Sequence, residues 1–149
     1  MSRRNLVVVG AIFLLGLALY TLTLAPDLTW AHWGADGGDL LVAAATCRLA
    51  HPPGTPLYVL LTRIWLHLPW GSSPAWRLNF FSAVMAALTT AVFAALLLHR
   101  GYHLAVTLVA ALSLIVAPLF WSQALITEVY STAAFFAMLT LTLAWESPR

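Results

Sequence analysis

The sequence contains no lysine, only five acidic residues and a single cysteine among its 149 residues. Charged residues make up 8% of the chain, whereas soluble globular domains carry about 25%. Hydrophobic residues reach 62%, and the mean hydropathy is +0.89. A soluble fold could not cover its surface with so little charge, so the composition predicts an integral membrane protein.

Several classes of function are excluded by what is scarce. The net charge of +2 comes from seven scattered arginines, which is too weak and too dispersed a surplus for a nucleic-acid partner. The lone Cys47 cannot form an internal disulfide.

Arginine without lysine, together with abundant alanine and leucine, is typical of GC-rich bacterial genomes. It favours a bacterial inner (plasma) membrane over the endoplasmic reticulum.

Long apolar runs predict four transmembrane helices, because about 20 such residues cross a bilayer core. They lie at residues 6–24, 76–98 (or 78–98), 102–118 and 124–144. The first run is longer than the hydrophobic core of a signal peptide, which favours a retained helix over a cleaved leader. Arginines at the predicted inner ends place the N-terminus in the cytoplasm by the positive-inside rule; they are Arg3, Arg4, Arg100 and Arg149.

Two further apolar segments, at residues 40–45 and 56–68, are too short to cross. We expect both to lie along the outer membrane surface. Asp36 and Asp39 are placed to form a capping box at the start of the first. Arg63 lies in the middle of the second, where it can extend to water. The fold class predicted is therefore an all-α polytopic membrane protein, with about four transmembrane helices and two extracytoplasmic juxtamembrane helices.

The predicted topology gathers most of the ionisable side chains at the outer face: Asp36, Asp39, His51, Arg63, Arg77 and Glu128. Glu128 lies about one turn inside the fourth predicted span, where an ionisable residue indicates function. Simpler interpretations remain open. The aspartates can be caps, His51 a turn residue, the arginines interfacial anchors, and Glu128 a partner of Arg77. Three carboxylates and a histidine can hold a divalent metal, but their spacing matches no closed motif, so no cofactor is assigned.

Four motifs in order resemble a multipass family first catalogued as a domain of unknown function. Its pattern is roughly G-G-D-x-G-E-L, H-P-P-G-x-P-L, R-x-N-x-x-S-A and x-E-V-Y-x. The matching segments are Gly34-Ala35-Asp36-Gly37-Gly38-Asp39-Leu40, His51-Pro52-Pro53-Gly54-Thr55-Pro56-Leu57-Tyr58, Arg77-Leu78-Asn79-Phe80-Phe81-Ser82-Ala83 and Thr127-Glu128-Val129-Tyr130-Ser131. The family includes a eukaryotic protein O-mannosyltransferase of the endoplasmic reticulum. Its layout is similar to that of GT-C glycosyltransferases.

This resemblance implies a function and a set of site residues. Residues 1–149 are expected to form a single transmembrane domain, the N-terminal fragment of a longer GT-C-like domain. Asp36 matches the loop aspartate of the family, and Asp39 stands where the family has a longer glutamate. Both are expected to be catalytic. His51, Arg63, Arg77 and Glu128 are expected to bind substrate.

The implied reaction transfers a sugar, with mannose as a candidate, from a polyprenyl-phosphate donor in the lipid bilayer to an extracytoplasmic protein or glycan. The phosphate is a good leaving group, so the acceptor hydroxyl needs only a base, which one carboxylate can supply. Arginines can hold the phosphate oxygens. The alternative is a non-catalytic four-span module that binds lipid or protein partners, with Asp36 as a cap and Glu128 as a structural charge.

Overall fold

A computed structural model describes residues 2–146, and within that range it consists of helices and connecting turns without any strand. The all-α class is therefore confirmed. A short 3-10 turn at Ala31–Trp33 accompanies seven α-helices. These are α1 (Arg3–Leu22), α2 (Gly37–Thr46), α3 (Pro56–Leu66), α4 (Pro74–His99), α5 (Leu104–Ile115), α6 (Pro118–Ala124) and α7 (Tyr130–Glu146).

Helix α4 is the centre of the molecule and packs against all six other helices or their connections. It begins firmly, because Ser73 accepts a hydrogen bond from the backbone N–H of Trp76 at 3.1 Å and Pro74 occupies the first turn. Its contact faces carry fully buried alanines, among them Ala83, Ala86 and Ala94. Small side chains let neighbouring helices approach closely, which is how apolar helices associate within a membrane.

Among the residues that the structure describes, two helices are long and apolar enough to cross a membrane. These are α1 with 20 residues and α4 with 26, each with a mean hydropathy of 2.2. The third predicted span is broken, since α5 and α6 meet at an angle of 61° and count as one span only if the bend is accepted. Pro118 explains the break, because its ring disfavours helical backbone at Ala117, which is extended with ψ of 122°.

The predicted start of the fourth span, residues 124–144, is wrong. Residues 125–129 are not helical, and α7 starts only at Tyr130. This segment is held by bonds to other parts of the chain, including Leu125 C=O with Ala25 N–H at 3.1 Å. Glu128 therefore lies in a connection before α7 rather than one turn inside a span. Arg149, the predicted inner end, lies outside the described residues.

Both predicted short helices are present as α2 and α3. At 11 residues, α3 is well below the length of a span. The two helices share a small core in which Leu40 and Tyr58 are buried together with Phe81 of α4. Tyr58 meets Phe81 edge to face, with ring centroids 6.0 Å apart. This core fixes the α2–α3 pair against the N-terminal end of α4 and so positions the loops at that end.

Candidate active site

Four of the six predicted site residues converge at the N-terminal end of α2. Asp36 immediately precedes the helix, and Asp39 is in its first turn. His51 comes from the loop between α2 and α3, and Glu128 from the connection between α6 and α7. Side chains from three separate segments therefore form one cluster, which we call the acid cluster.

His51 lies between the two aspartates. Its Nδ1 is 2.9 Å from Asp39 Oδ2, and its Nε2 is 3.4 Å from Asp36 Oδ2. The same Oδ2 of Asp39 also accepts the backbone N–H of His51 at 2.8 Å. Asp39 thus fixes both the backbone and the ring of His51, and the opposite ring nitrogen is presented to Asp36.

The predicted capping box is wrong. Asp36 makes no capping hydrogen bond with its side chain, and the carboxylate of Asp39 is directed at His51. The reason is the backbone of Asp36, whose φ of −90° and ψ of −11° differ from the extended conformation usual at a cap. The carboxylate of Glu128 instead accepts the backbone N–H of Asp36, together with that of Val129.

The carboxyl groups of the cluster differ in environment. Hydrogen bonds from the backbone N–H and the ring of His51 lower the pKa of Asp39, and the same pairing raises the pKa of His51. Glu128 is only 2% exposed, and this burial, followed by the nearby charge of Asp36, raises its pKa. The side chain of Asp36 is 48% exposed. The side chains of His51 and Asp39 are exposed as well, at 47% and 37%, so three members of the cluster are open to an incoming molecule and Glu128 is not.

A buried amide that the sequence interpretation overlooked holds the cluster in place. Asn79 of α4 donates to the carbonyls of Ala25 at 2.9 Å and Asp27 at 3.2 Å. Its Oδ1 accepts the hydroxyl of Thr127 at 2.6 Å. Asn79 thereby joins α4 to the loop after α1 and to the residue next to Glu128. An amide in a helix of mainly apolar residues was the available signal.

Tyr58 is a second overlooked residue. Its ring is buried in the α2–α3 core, and within residues 2–146 its hydroxyl has no hydrogen-bond partner. Burial, followed by the charge of Glu128, raises the pKa of this hydroxyl. Tyr58 therefore stays neutral beside the buried carboxyl group. One end of this motif supplies His51 to the cluster, and the other places Tyr58 within the electrostatic influence of Glu128.

Glycine lets the backbone close around the cluster. A Cβ added to Gly37 would lie 3.3 Å from a methyl group of Leu28 and 3.4 Å from the carbonyl oxygen of Thr127. Such contacts are tight, so a side chain at this position would push α2 away from the segment that carries Glu128. The first glycine of α2 is thus part of the packing that brings Asp36 and Glu128 together.

Arg63 and Arg77 are not brought to the acid cluster. Arg63 donates to the carbonyls of Ala44 and Ala45 at 3.4 and 3.3 Å, at the opposite end of α2. Arg77 donates to the carbonyl of Leu66 at 3.0 Å. The ion pair between Arg77 and Glu128 considered from the sequence is not formed, because the ion pairs among the described residues are those of His51.

The arrangement does not resemble a metal site. Across residues 2–146, no group of three or more histidine, cysteine, aspartate or glutamate side chains has the geometry to hold a metal ion. Asp36 and Asp39 are both directed at the imidazole between them. In this arrangement both carboxylates accept hydrogen bonds or protons from the imidazole of His51.

A largely apolar cavity of about 510 Å³ opens between α6 and the start of α7. Its lining includes Trp33 and Ser131, each three positions from a carboxylate of the acid cluster. Gln123 contributes a buried amide whose Nε2 donates to the carbonyl of His32 at 2.9 Å. Residues that line this apolar cavity are therefore close in sequence to members of the acid cluster.

Comparison with known proteins identifies the family. Residues 36–148 match the model of the protein O-mannosyl-transferase TMEM260 N-terminal domain. This chain belongs to that family. The matched range contains all four members of the acid cluster and all four motifs from Asp36 onward, which confirms the resemblance inferred from those motifs.

Two curated relatives carry the same name. Protein O-mannosyl-transferase TMEM260 of Mus musculus is 34% identical over 143 residues, covering 91% of this chain and 19% of the mouse protein. Protein O-mannosyl-transferase tmem260 of Dictyostelium discoideum is 28% identical over 149 residues, covering 97% and 18%. The chain thus spans about a fifth of the length of these relatives. No solved structure matches it.

Proposed function

We propose that this TMEM260-family chain carries the catalytic base of a membrane glycosyltransferase. The enzyme would transfer a sugar from a polyprenyl-phosphate donor to a hydroxyl group of an extracytoplasmic protein or glycan, in the manner of a GT-C enzyme. Mannose is the sugar named in the relatives. One observation carries the proposal: Asp36 is half exposed, makes no capping bond, and lies 3.4 Å from an imidazole that Asp39 fixes.

The chemistry needs one proton acceptor. In the proposed step Asp36 takes the proton of the acceptor hydroxyl. The oxygen of that hydroxyl attacks the anomeric carbon of the sugar at the same time. The bond between that carbon and the phosphate oxygen breaks, and the polyprenyl phosphate leaves with the bonding electrons. A positioned base of this kind contributes roughly 10²–10⁴-fold to the rate. The phosphate leaving group needs no general acid.

The other members of the cluster support Asp36. Asp39 is a positioning residue in this proposal, since it orients His51 through two contacts to one oxygen. Glu128 positions the backbone of Asp36 by accepting its N–H. His51 faces Asp36 and can donate to one of its oxygens, which leaves the other for the acceptor hydroxyl.

The apolar cavity supports a lipid-linked donor. It lies between two apolar helices, and its walls include Trp33, Leu119, Phe120 and Tyr130. An isoprenoid chain is apolar and enters from the bilayer, so it suits such a cavity.

We further propose that the acid cluster faces the outside of a bacterial inner membrane, with the N-terminus in the cytoplasm. Arg3 and Arg4 stand at the start of α1 and Arg100 at the end of α4, which are the helix ends remote from the acid cluster. The positive-inside rule favours the cytoplasm for these arginines.

The test compares Asp36→Asn with Asp39→Asn in the intact protein, assayed for mannose transfer from a polyprenyl-phosphate donor at matched expression and thermal stability. Asparagine keeps the size of the side chain but removes the proton acceptor. We expect transfer to fall by roughly 10²–10⁴-fold in Asp36→Asn and less in Asp39→Asn.

The reverse order of effects would assign the base to Asp39. Near wild-type transfer by both variants would show that the carboxylates are structural, as in the non-catalytic module.

A further inference from the structure

A second cavity, of about 240 Å³, lies at the C-terminal end of α2. It is enclosed by that helix end, by α3 and by the start of α4. Among the described residues, three basic side chains contribute to its lining, namely Arg63, His67 and Arg77, and no acidic side chain does. We call it the arginine cavity. It is separate from the acid cluster, which occupies the other end of α2.

The positive charge in the arginine cavity is not balanced. Neither Arg63 nor Arg77 has a carboxylate partner within residues 2–146. The bonds of Arg63 to the end of α2 are long, at 3.3 and 3.4 Å. The Nε of Arg77 is buried, and no acceptor reaches it from the described part of the chain. An anion with several oxygens would satisfy these donors, and phosphate suits paired guanidinium groups best.

Aromatic side chains beside the cavity indicate its depth in the membrane. Trp65, Trp70, Trp76 and Phe80 form a cluster in which Trp76 and Phe80 stack with ring centroids 5.2 Å apart. The cluster is joined to the cavity because Trp65 Nε1 donates to the carbonyl of Arg77 at 2.9 Å. Tryptophan concentrates at the level of the lipid headgroups. The anion available at that level is the phosphate of a lipid.

We propose that the arginine cavity binds the phosphate group of a membrane lipid. Two lipids share this chemistry: a polyprenyl phosphate and a phospholipid of the bilayer. Asp39 and Ala45 are six residues apart on α2, or about 9 Å along its axis. The lipid phosphate is thus held at a distance from the acid cluster, and the proposal does not depend on the sugar transfer proposed above.

The experiment measures lipid binding by the purified intact protein in detergent, from the rise in melting temperature as each probe is titrated. The probes form two pairs that differ only in phosphate: undecaprenyl phosphate with undecaprenol, and dioleoyl phosphatidate with dioleoylglycerol. We compare wild type with Arg63→Gln, Arg77→Gln and the double variant. Arg48→Gln is the matched control, since Arg48 is an exposed arginine just after α2.

We expect the phosphate-bearing probes alone to raise the melting temperature. Each cavity variant should weaken their apparent affinity by roughly tenfold or more, as for the loss of a charged hydrogen bond, and Arg48→Gln should not. Arg77 also holds the end of α3, so Arg63→Gln decides the matter if Arg77→Gln fails to fold.

Comparison of the polyprenyl probes with the diacylglycerol probes shows which lipid supplies the bound phosphate. Tighter binding of undecaprenyl phosphate assigns the cavity to the polyprenyl lipid, and equal binding assigns it to phospholipids generally. The proposal is overturned if undecaprenol or dioleoylglycerol binds as tightly as its phosphate counterpart. It is also overturned if Arg63→Gln and the double variant bind the phosphate probes like wild type.

Discussion

His51 joins the two loop aspartates into one unit at the level of single residues. Its ring and its backbone N–H both contact Asp39, and its other ring nitrogen faces Asp36. A histidine before two prolines is usually a turn residue, and His51 is in a turn. The contact across 12 positions with Asp39 gives it a second role that the local sequence did not indicate.

The His51–Asp39 pair should make stability depend on pH. The pKa of His51 is raised above 6.5, so its contribution is complete below that pH and is lost as pH rises through the folded-state value. The pKa of Asp39 is lowered below 3.8, so its contribution is present above that pH and is lost on further acidification. The pair therefore stabilises the fold most between about pH 4 and 6.5.

The measurement is the melting temperature of wild type and of His51→Gln from pH 5 to 9. We expect the difference between them to be largest near pH 5 and to shrink above pH 7. Glu128, whose raised pKa acts in both proteins, largely cancels in this comparison. His103→Gln, at the start of α5, is the control. A difference that does not vary with pH would contradict the charged pair.

Asn79 should be important for stability without belonging to the reacting groups. Asn79→Leu keeps a similar volume but leaves Thr127 and the carbonyls of Ala25 and Asp27 without their buried partner. Each unsatisfied group costs about 1–3 kcal/mol, so the melting temperature should fall clearly. Ser82→Ala on the same helix is the control, because Ser82 bonds only to a carbonyl of its own helix. Equal stability of the two variants would exclude the proposed role.

At the level of elements, the apolar runs predicted the helices better than they predicted the breaks between them. Helix α4 was predicted from its apolar composition alone, within two to four residues of its observed start at Pro74. The break after Ala124 was missed because residues 125–129 are apolar enough for a helix. They are instead held by Ala25 and Asn79, which are distant in sequence.

Helix α3 should lie along the membrane rather than cross it. Its 11 residues extend about 17 Å, against a bilayer core of roughly 30 Å. Placing Arg63 at the centre of the bilayer would cost about 2.5–3.5 kcal/mol. A reporter fused after Arg100 should therefore be cytoplasmic, and a cysteine at Ser72 should react with an impermeant reagent from outside.

The labelling is done in a Cys47→Ser background, because Cys47 is itself exposed. A cysteine at Ser2 serves as the control and should stay unlabelled in intact cells. An extracytoplasmic reporter after Arg100, or labelling of Ser2 but not Ser72, would show that α3 crosses or that the whole topology is inverted.

At the level of the whole molecule, α4 divides the chain into two regions of different character. Along most of its length it packs against apolar helices through small side chains. At its N-terminal end it supports α2, α3 and the loops that carry the charged groups. The acid cluster and the arginine cavity lie at the two ends of α2, so one ten-residue helix separates a proton acceptor from a cationic cavity.

The sequence by itself determined the membrane class, the helical fold, the short helices α2 and α3, and the membership of the family. Each of these depends on composition, on the length of apolar runs or on motifs that are contiguous in the chain. Tertiary structure alone decided that Glu128 binds the backbone of Asp36, 92 positions away, and that the arginines lie apart from the aspartates. Such contacts depend on how helices pack around α4, and local sequence does not encode the direction in which each loop then returns.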